Sequence, residues 1–222
     1  MFLLIPTLIF QLKYPFSNKR SVQKFLLRLA EYFLWVALWI VIIMEYVKPL
    51  VLECAASIRR EDYKTAFYYF VRLAVPNTYC WLVLFYSNFH VYFNAYCDLT
   101  GFADRCFYLD WWNSTTFGEY WRKWNLPVHN WLTRHIYLPM IRRGFSKTAS
   151  MFVVFILSAI LHEYLVYGLI GYVSFIGFNA MAIQLPFIVI QEKYKHILGG
   201  NVGNFFFWIV FCVLGQPAGI VM

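Results

Sequence analysis

Residues 148–191 read TASMFVVFILSAILHEYLVYGLIGYVSFIGFNAMAIQLPFIVIQ, 44 residues in which His162 and Glu163 are the only members of the Asp, Glu, Lys, Arg and His set. A bilayer core takes about 20 apolar residues per helical span. The length therefore predicts two spans, 149–170 and 172–191, with Gly168 and Gly171 near a tight turn. The adjacent pair then lies inside a membrane helix, where each ionisable group costs about 3 kcal/mol and faces protein or a wet cavity. That makes it a candidate functional site. The alternative is a buried polar pair that ties helices together.

The rest of the chain agrees with a membrane setting. Of 222 residues, 61% are hydrophobic and 14% charged, against about 25% charged in soluble domains. The net charge of +8 does not indicate nucleic acid, because the basic residues are scattered between apolar runs instead of forming a patch on a polar fold. The five cysteines include no CxxC pair and read as buried reduced thiols. His129 and His135 are six apart and do not share a helix face as i and i+4 ligands would, so no metal is assigned.

Outward from the central stretch, residues 25–47 predict a first span closed by Pro49, residues 73–97 a second with a turn or kink at Pro76-Asn77, and residues 197–222 a fifth. Residues 98–147 are different: they hold four acids, seven of the nineteen Lys and Arg residues, and five tryptophans. From Pro127, the residues Val128, Trp131, Leu132, His135 and Ile136 recur at helical spacing, which predicts an amphipathic helix in the membrane interface. With the N-terminus in the cytosol, the cytosolic segments 1–28, 98–147 and 191–203 carry 14 of the 19 basic residues, as the positive-inside rule requires. The fold class is thus an all-α integral membrane protein with about five transmembrane helices and a cytosolic amphipathic helix. Its 222 residues form a single membrane-embedded domain.

Three groups of residues carry candidate chemistry. A neutral His162 in a low-dielectric chamber can take a proton from an alcohol and return it to a leaving group. Successive helix residues point about 100° apart, so Glu163 serves another helix or the substrate and does not bond the His162 ring. The second group is Phe107-Tyr108-Leu109-Asp110-Trp111-Trp112-Asn113, which is also explained by an interfacial aromatic belt. The third is Trp121-Arg122-Lys123-Trp124-Asn125-Leu126-Pro127-Val128-His129, whose charges and flat rings suit a phosphorylated nucleotide or an ordinary amphipathic surface helix.

FYLDWWN followed by WNLPVHNW, RHIYLPMIRRGFSK, HEYLVYG and GQP resembles the membrane-bound O-acyltransferases. Within them it is similar to the diacylglycerol and sterol O-acyltransferase branch, whose hallmark is FYxDWWN. RLAVPN, RRGFSK and HEYLV look more like the diacylglycerol enzymes. The resemblance runs from about Leu4 to Met222 and implies esterification of diacylglycerol by acyl-CoA, a substrate and not a cofactor, in a multi-pass protein of the endoplasmic reticulum membrane. No other cofactor is implied. Membrane lipids and a second copy of the chain are the further candidate partners.

By the same resemblance His162 matches the catalytic general base, Asn125 an amide that positions the acyl carbonyl or its oxyanion, and Glu163 and Gln216 polar groups lining the chamber. Residues 121–129 and Tyr137 match the acyl-CoA contact. Met151 departs from the pattern, standing where diacylglycerol enzymes carry an arginine, with Arg142, Arg143 or Lys147 as substitutes. Family members also extend further at both ends, so the chain is expected to be a C-terminal catalytic half. The competing readings are a sterol O-acyltransferase with the same chemistry, and an inactive fragment or non-enzymatic membrane protein such as a channel.

Overall fold

The computed structural model describes residues 4–17, 20–194 and 200–221. Among them the regular structure is helical, apart from one isolated bridge between Phe16 and Phe102. The chain divides into two compact units, residues 1–109 with 211–221, and residues 110–210.

In the first unit, α1 (Val22–Arg59) is 38 residues long, a length of about 57 Å at 1.5 Å per residue. Ser21 caps its start, its side chain accepting from the Lys24 N–H. Pro49 was expected to end this helix, and it does not. The last turn before it relaxes to π geometry over Ile43–Val47, and the helix runs on to Arg59. The same arrangement recurs at Thr133–Tyr137 before Pro139 and at Val210–Gly215 before Pro217. In each case the prolyl ring crowds the carbonyl four residues back, on Glu45, His135 or Val213, and supplies no N–H to it. A π turn widens the helix where that carbonyl must move aside.

The first 21 residues of α1 bury no side chain, and Leu26, Leu27, Phe33 and Leu34 are all exposed. None of its apolar window is buried, and 17% of the window in Lys147–Gly168 is. A core helix of a water-soluble protein shows the reverse, so these two helices present apolar surface that lipid satisfies. They are the helices, among the described residues, that are long and apolar enough to cross a membrane by length and composition.

The next helices are α2 (Tyr63–Arg72) and α3 (residues 74–100). Pro76 falls in the first turn of α3, where its missing N–H costs nothing; of the expected turn or kink there is a turn, at Leu73, just before the helix starts. An antiparallel aromatic ladder joins α1 to α3: Phe25 with Tyr96, Tyr32 with Tyr92 and Trp35 with Tyr86, at 6.2, 5.2 and 5.0 Å between centroids. Gly101, with φ 78°, ends α3. A side chain there would meet the Ser17 carbonyl at 2.8 Å.

Just past the apolar part of α3, the Asp98 carboxylate lies between Arg28 and Arg105, 2.8 Å from each, with 6% of its side chain exposed. Burial pushes the Asp98 carboxyl up, but the hydrogen bonds from Arg105 and Arg28 outweigh it and hold the group below the usual carboxylate range. A depressed folded-state pKa contributes stability above the unfolded pKa and loses it as pH falls through the folded value. Asp98→Asn is therefore expected to lower stability by about 2 kcal/mol at neutral pH, discounted because both guanidinium groups are about a third exposed. Thermal unfolding between pH 3 and 7 checks this: the wild type should lose its advantage over the variant in the acid range, and parallel curves would reject the role.

In the second unit, a 3-10 turn (Trp111–Asn113) is followed by α4 (Phe117–Lys123), α5 (residues 126–142), α6 (Lys147–Ile170), α7 (Ile176–Ala182) and α8 (Gln184–Lys193). The last helix, α9 (residues 200–221), contributes to both units. The expected interfacial helix is α5, starting at Leu126 with Pro127 in its first turn. Leu132 is buried while Val128 and His135 are exposed, so the expected face is only partly covered, and a π segment follows at Thr133–Tyr137.

The expected span 172–191 is not one helix. It breaks at Ile183 into α7 and α8. Pro186 removes the N–H that would continue the ladder onto Ala182, and the Gln184 side-chain amide donates to the Ala180 carbonyl beside the break at 3.0 Å. The turn after α6 is at Gly171, φ 81°. The expected span 197–222 is helical over residues 200–221, and its residues 197–199 and 222 lie outside the described set.

Candidate active site

His162 lies two-thirds of the way along α6. That helix is capped by Ser146, whose side chain accepts from the Ala149 N–H, and closed by Gly171. The His162 ring is half-buried, and its Nδ1 is 2.7 Å from the Ser158 carbonyl oxygen, one turn back. A carbonyl accepts only, so Nδ1 carries the proton in that bond. The neutral ring then presents Nε2 with a free lone pair, the tautomer a general base needs.

The Trp121 ring stands edge-on to His162, at 6.3 Å and 84°. Its own orientation is set from two sides. Trp121 Nε1–H donates to Gln184 Oε1 at 2.9 Å, and the ring packs edge-on against Phe155 of α6 at 6.4 Å. A second glutamine on α8 repeats the device: Gln191, 3% exposed, accepts from the Phe117 N–H at the start of α4. Gln184 and Gln191 are seven residues apart, and Phe117 and Trp121 four apart, so each pair shares one helix face. The two bonds lace α8 to α4.

Glu163 is 8% exposed, and its carboxylate is fully engaged. Oε1 accepts from the Ser174 N–H at 2.7 Å, the Ser174 hydroxyl at 3.2 Å and the Phe175 N–H at 2.7 Å. Oε2 accepts from the Phe178 N–H at 3.2 Å. Phe175 adopts a left-handed conformation, φ 60°, which costs a side-chain-bearing residue about 1 kcal/mol. Glu163 therefore points away from the His162 ring and into the turn between α6 and α7. That turn comes very close to the histidine's backbone. A Cβ on Gly177 would sit 2.8 Å from the His162 carbonyl carbon and oxygen and 2.9 Å from the Glu163 nitrogen.

Asn125 is the N-cap of α5. Its Oδ1 accepts from the Val128 N–H at 3.2 Å, which leaves the side-chain NH2 as the group oriented to donate. Trp124 stacks on Tyr120 at 5.9 Å and meets Trp121 edge-on at 6.0 Å. Lys123 bridges two carboxylates, Glu119 at 2.9 Å and Asp110 at 3.2 Å. The Glu119 hydrogen bond holds the Lys123 ammonium above its ordinary range. Its charge is thus spent within the protein, and Arg122, exposed on α4, is the cation of this stretch turned outward. His129 is half-buried, and burial, followed by repulsion from Arg122, pushes its imidazole down. Leu126 and Pro127 are half-buried in the first turn of α5, Val128 is exposed beside them, and Tyr137 is half-buried at the end of the π turn.

The 107–113 motif is split between the units. In the first, Phe107 is buried with Ile5, Cys97 and Phe102, and the Tyr108 hydroxyl lies 2.9 Å from His90 Nδ1. In the second, Trp111 is 1% exposed and surrounded by Trp112, Tyr120 and Trp208. The Trp112 carbonyl accepts from Asn204 Nδ2 and Trp208 Nε1, and the Ser114 carbonyl from Asn204. Asp110 reaches Lys123, and Asn113 closes the 3-10 turn. An interfacial belt does not describe Trp111, which is core. Of the four residues proposed as catalytic, His162, Glu163 and Asn125 belong to the second unit, and Gln216 opens the last turns of α9 in the first.

Sequence reasoning missed Gly177, Ser174, Gln184 and Gln191. The glutamines carried a signal, two amides at heptad spacing inside an apolar run. Gly177 carried none, because its role is set by the close approach of a second helix.

A profile of the membrane-bound O-acyltransferase family matches residues 1–222. Over its whole length the chain is 37% identical to diacylglycerol O-acyltransferase 1C from Glycine max, covering 43% of that protein. It is 38% identical to diacylglycerol O-acyltransferase 1 from Dictyostelium discoideum, covering 35%, and 37% identical to the Bos taurus protein of the same name, covering 44%. The chain thus spans less than half the length of the curated relatives it matches.

Proposed function

The chain belongs to the membrane-bound O-acyltransferase family, and from that premise we propose that it transfers the acyl group of acyl-CoA to the free hydroxyl of diacylglycerol, forming triacylglycerol. The relatives similar to it along its whole length are named for that acceptor. The observation that carries the chemistry is the His162–Ser158 bond, which places the proton of the neutral ring on Nδ1 and so makes Nε2 its basic atom.

In the proposed reaction His162 Nε2 takes the hydroxyl proton as the alcohol oxygen attacks the thioester carbonyl. The carbonyl electrons move to oxygen, and the Asn125 side-chain N–H donates to that oxyanion. Collapse breaks the carbon–sulfur bond, and the imidazolium returns its proton to the leaving CoA thiolate. No acyl-enzyme forms. Residues 121–129 and Tyr137 form the acyl-CoA contact of this reading. Arg122 offers the phosphate-facing charge, with Lys123 serving as an internal tie. Gln216 is the remaining chamber residue proposed. The setting is the endoplasmic reticulum membrane, crossed several times, with residues 98–147 on the cytosolic side, where acyl-CoA is made available. A second copy of the chain is the proposed protein partner.

The test is an assay of microsomes expressing the chain, supplied with labelled acyl-CoA and either diacylglycerol or sterol. Labelled triacylglycerol is expected. Sterol ester as the main product would keep the mechanism and replace the acceptor. Absence of both products, with the protein present in the membrane, would defeat the enzymatic reading.

A further inference from the structure

Glu163 invites assignment to the chemistry because it adjoins His162, yet its hydrogen bonds tie the carboxylate to residues 174–178. Both oxygens are occupied by donors from the Ser174, Phe175 and Phe178 amides and the Ser174 hydroxyl. Three of these donors are main-chain groups of the turn and the first turn of α7, and Glu163 itself is 8% exposed. On the other side of the same contact, Gly177 lets α7 lie directly on the backbone of His162 and Glu163. The carboxylate pulls the turn in, and the missing side chain at Gly177 lets it come that close.

We propose that Glu163 is a positioning residue and not a proton carrier: with Gly177 it forms a clasp that fixes the His162 turn of α6 against α7, and so sets where Nε2 is presented to substrate. The proposal rests on the acyl-transfer reading above. It makes a specific claim about which atoms of Glu163 matter. The clasp needs the side chain's length and its acceptor oxygens, whereas a proton-transfer role needs a carboxylic acid. Glutamine keeps the length and one acceptor oxygen. Aspartate keeps the acid but is one methylene short of the Ser174 and Phe178 amides.

The two roles therefore predict opposite orders. Displacing a catalytic group by about 1 Å costs about 10²-fold in rate. With the full chain in membranes, Glu163→Asp and Glu163→Ala are expected to lower kcat by about that much, and Glu163→Gln by about tenfold or less. KM for acyl-CoA and the pH profile should not move. Gly177→Ala, which leaves the carboxylate intact, should reproduce the kcat loss. Hydrogen exchange at the Phe175 and Phe178 amides should be slow in the wild type and fastest in Glu163→Ala. The proposal stands if glutamine outperforms aspartate and protection falls in step with kcat. It is overturned if aspartate outperforms glutamine, if the pH profile shifts in Glu163→Gln, or if kcat falls with protection unchanged. Lack of transfer by the wild type would count against the acyl-transfer reading, and the exchange measurement would still decide the clasp.

Discussion

His162→Ala is expected to reduce acyl transfer by about 10²- to 10⁴-fold, the usual worth of a positioned general base, with the protein still in the membrane. The size follows from the tautomer. Nδ1–H is committed to the Ser158 carbonyl at 2.7 Å, so Nε2 is the ring's basic atom, and alanine removes it. A sharper variant is His162→Asn. Its side-chain amide can still donate to the Ser158 carbonyl in place of Nδ1, but nothing occupies the Nε2 position. It should be as inactive as alanine while unfolding at the wild-type temperature. His162→Gln places a neutral amide near Nε2 and should be equally inactive, because an amide nitrogen does not accept a proton. Single-turnover transfer from labelled acyl-CoA reads the chemical step. Equal rates in wild type and His162→Asn would remove His162 from the chemistry and leave it a helix tie.

The candidate site is easier to propose from the sequence than the way the chain folds around it. An ionisable pair in an apolar run marks itself by cost and is visible from local pattern, whereas Asn125 is singled out through the family resemblance. The spans were less legible. Hydropathy counts apolar residues and does not see whether a helix survives a proline. Pro49 is absorbed by the π turn at Ile43–Val47, while Pro186 accompanies a true break. The Gln184 side chain donates to the Ala180 carbonyl beside that break, a contact that hydropathy does not register. The roles of His162 and Glu163 separated for a similar reason. Helical geometry sends adjacent side chains in different directions, but only the folded turn reveals that four donors wait for the carboxylate. Lys123 was expected to face acyl-CoA, and its two carboxylate partners come from residues 13 and four positions away. Charge in a sequence does not reveal whether it is already neutralised.

The second large effect concerns the hallmark motif and separates its two tryptophans. Trp111 is 1% exposed and meets Trp112, Tyr120 and Trp208 at 5.8, 5.8 and 5.9 Å between centroids. Removing a buried aromatic to alanine costs about 3–5 kcal/mol in lost burial and cavity, and the ring pairs are part of that sum. This is comparable to the whole stability of many domains, so Trp111→Ala should fail to accumulate as folded protein. Trp111→Phe should retain the core at a lower melting temperature. Trp112 behaves differently. Its side chain is 42% exposed, and its structural work is done by its carbonyl, which accepts from Asn204 and Trp208. Alanine preserves that carbonyl, so Trp112→Ala should fold nearly as well as wild type. Asn204→Leu, which removes the donor to the Trp112 and Ser114 carbonyls, should be destabilised more than Trp112→Ala. The yield of monodisperse protein in detergent reads Trp111→Ala, and thermal unfolding, followed by loss of that peak, ranks the other three variants. Trp111→Ala melting with the wild type would show that the motif is not the core of its unit. If the predicted order holds, the tryptophans of this motif act through the fold, and the chemistry is left to His162 and the amide of Asn125.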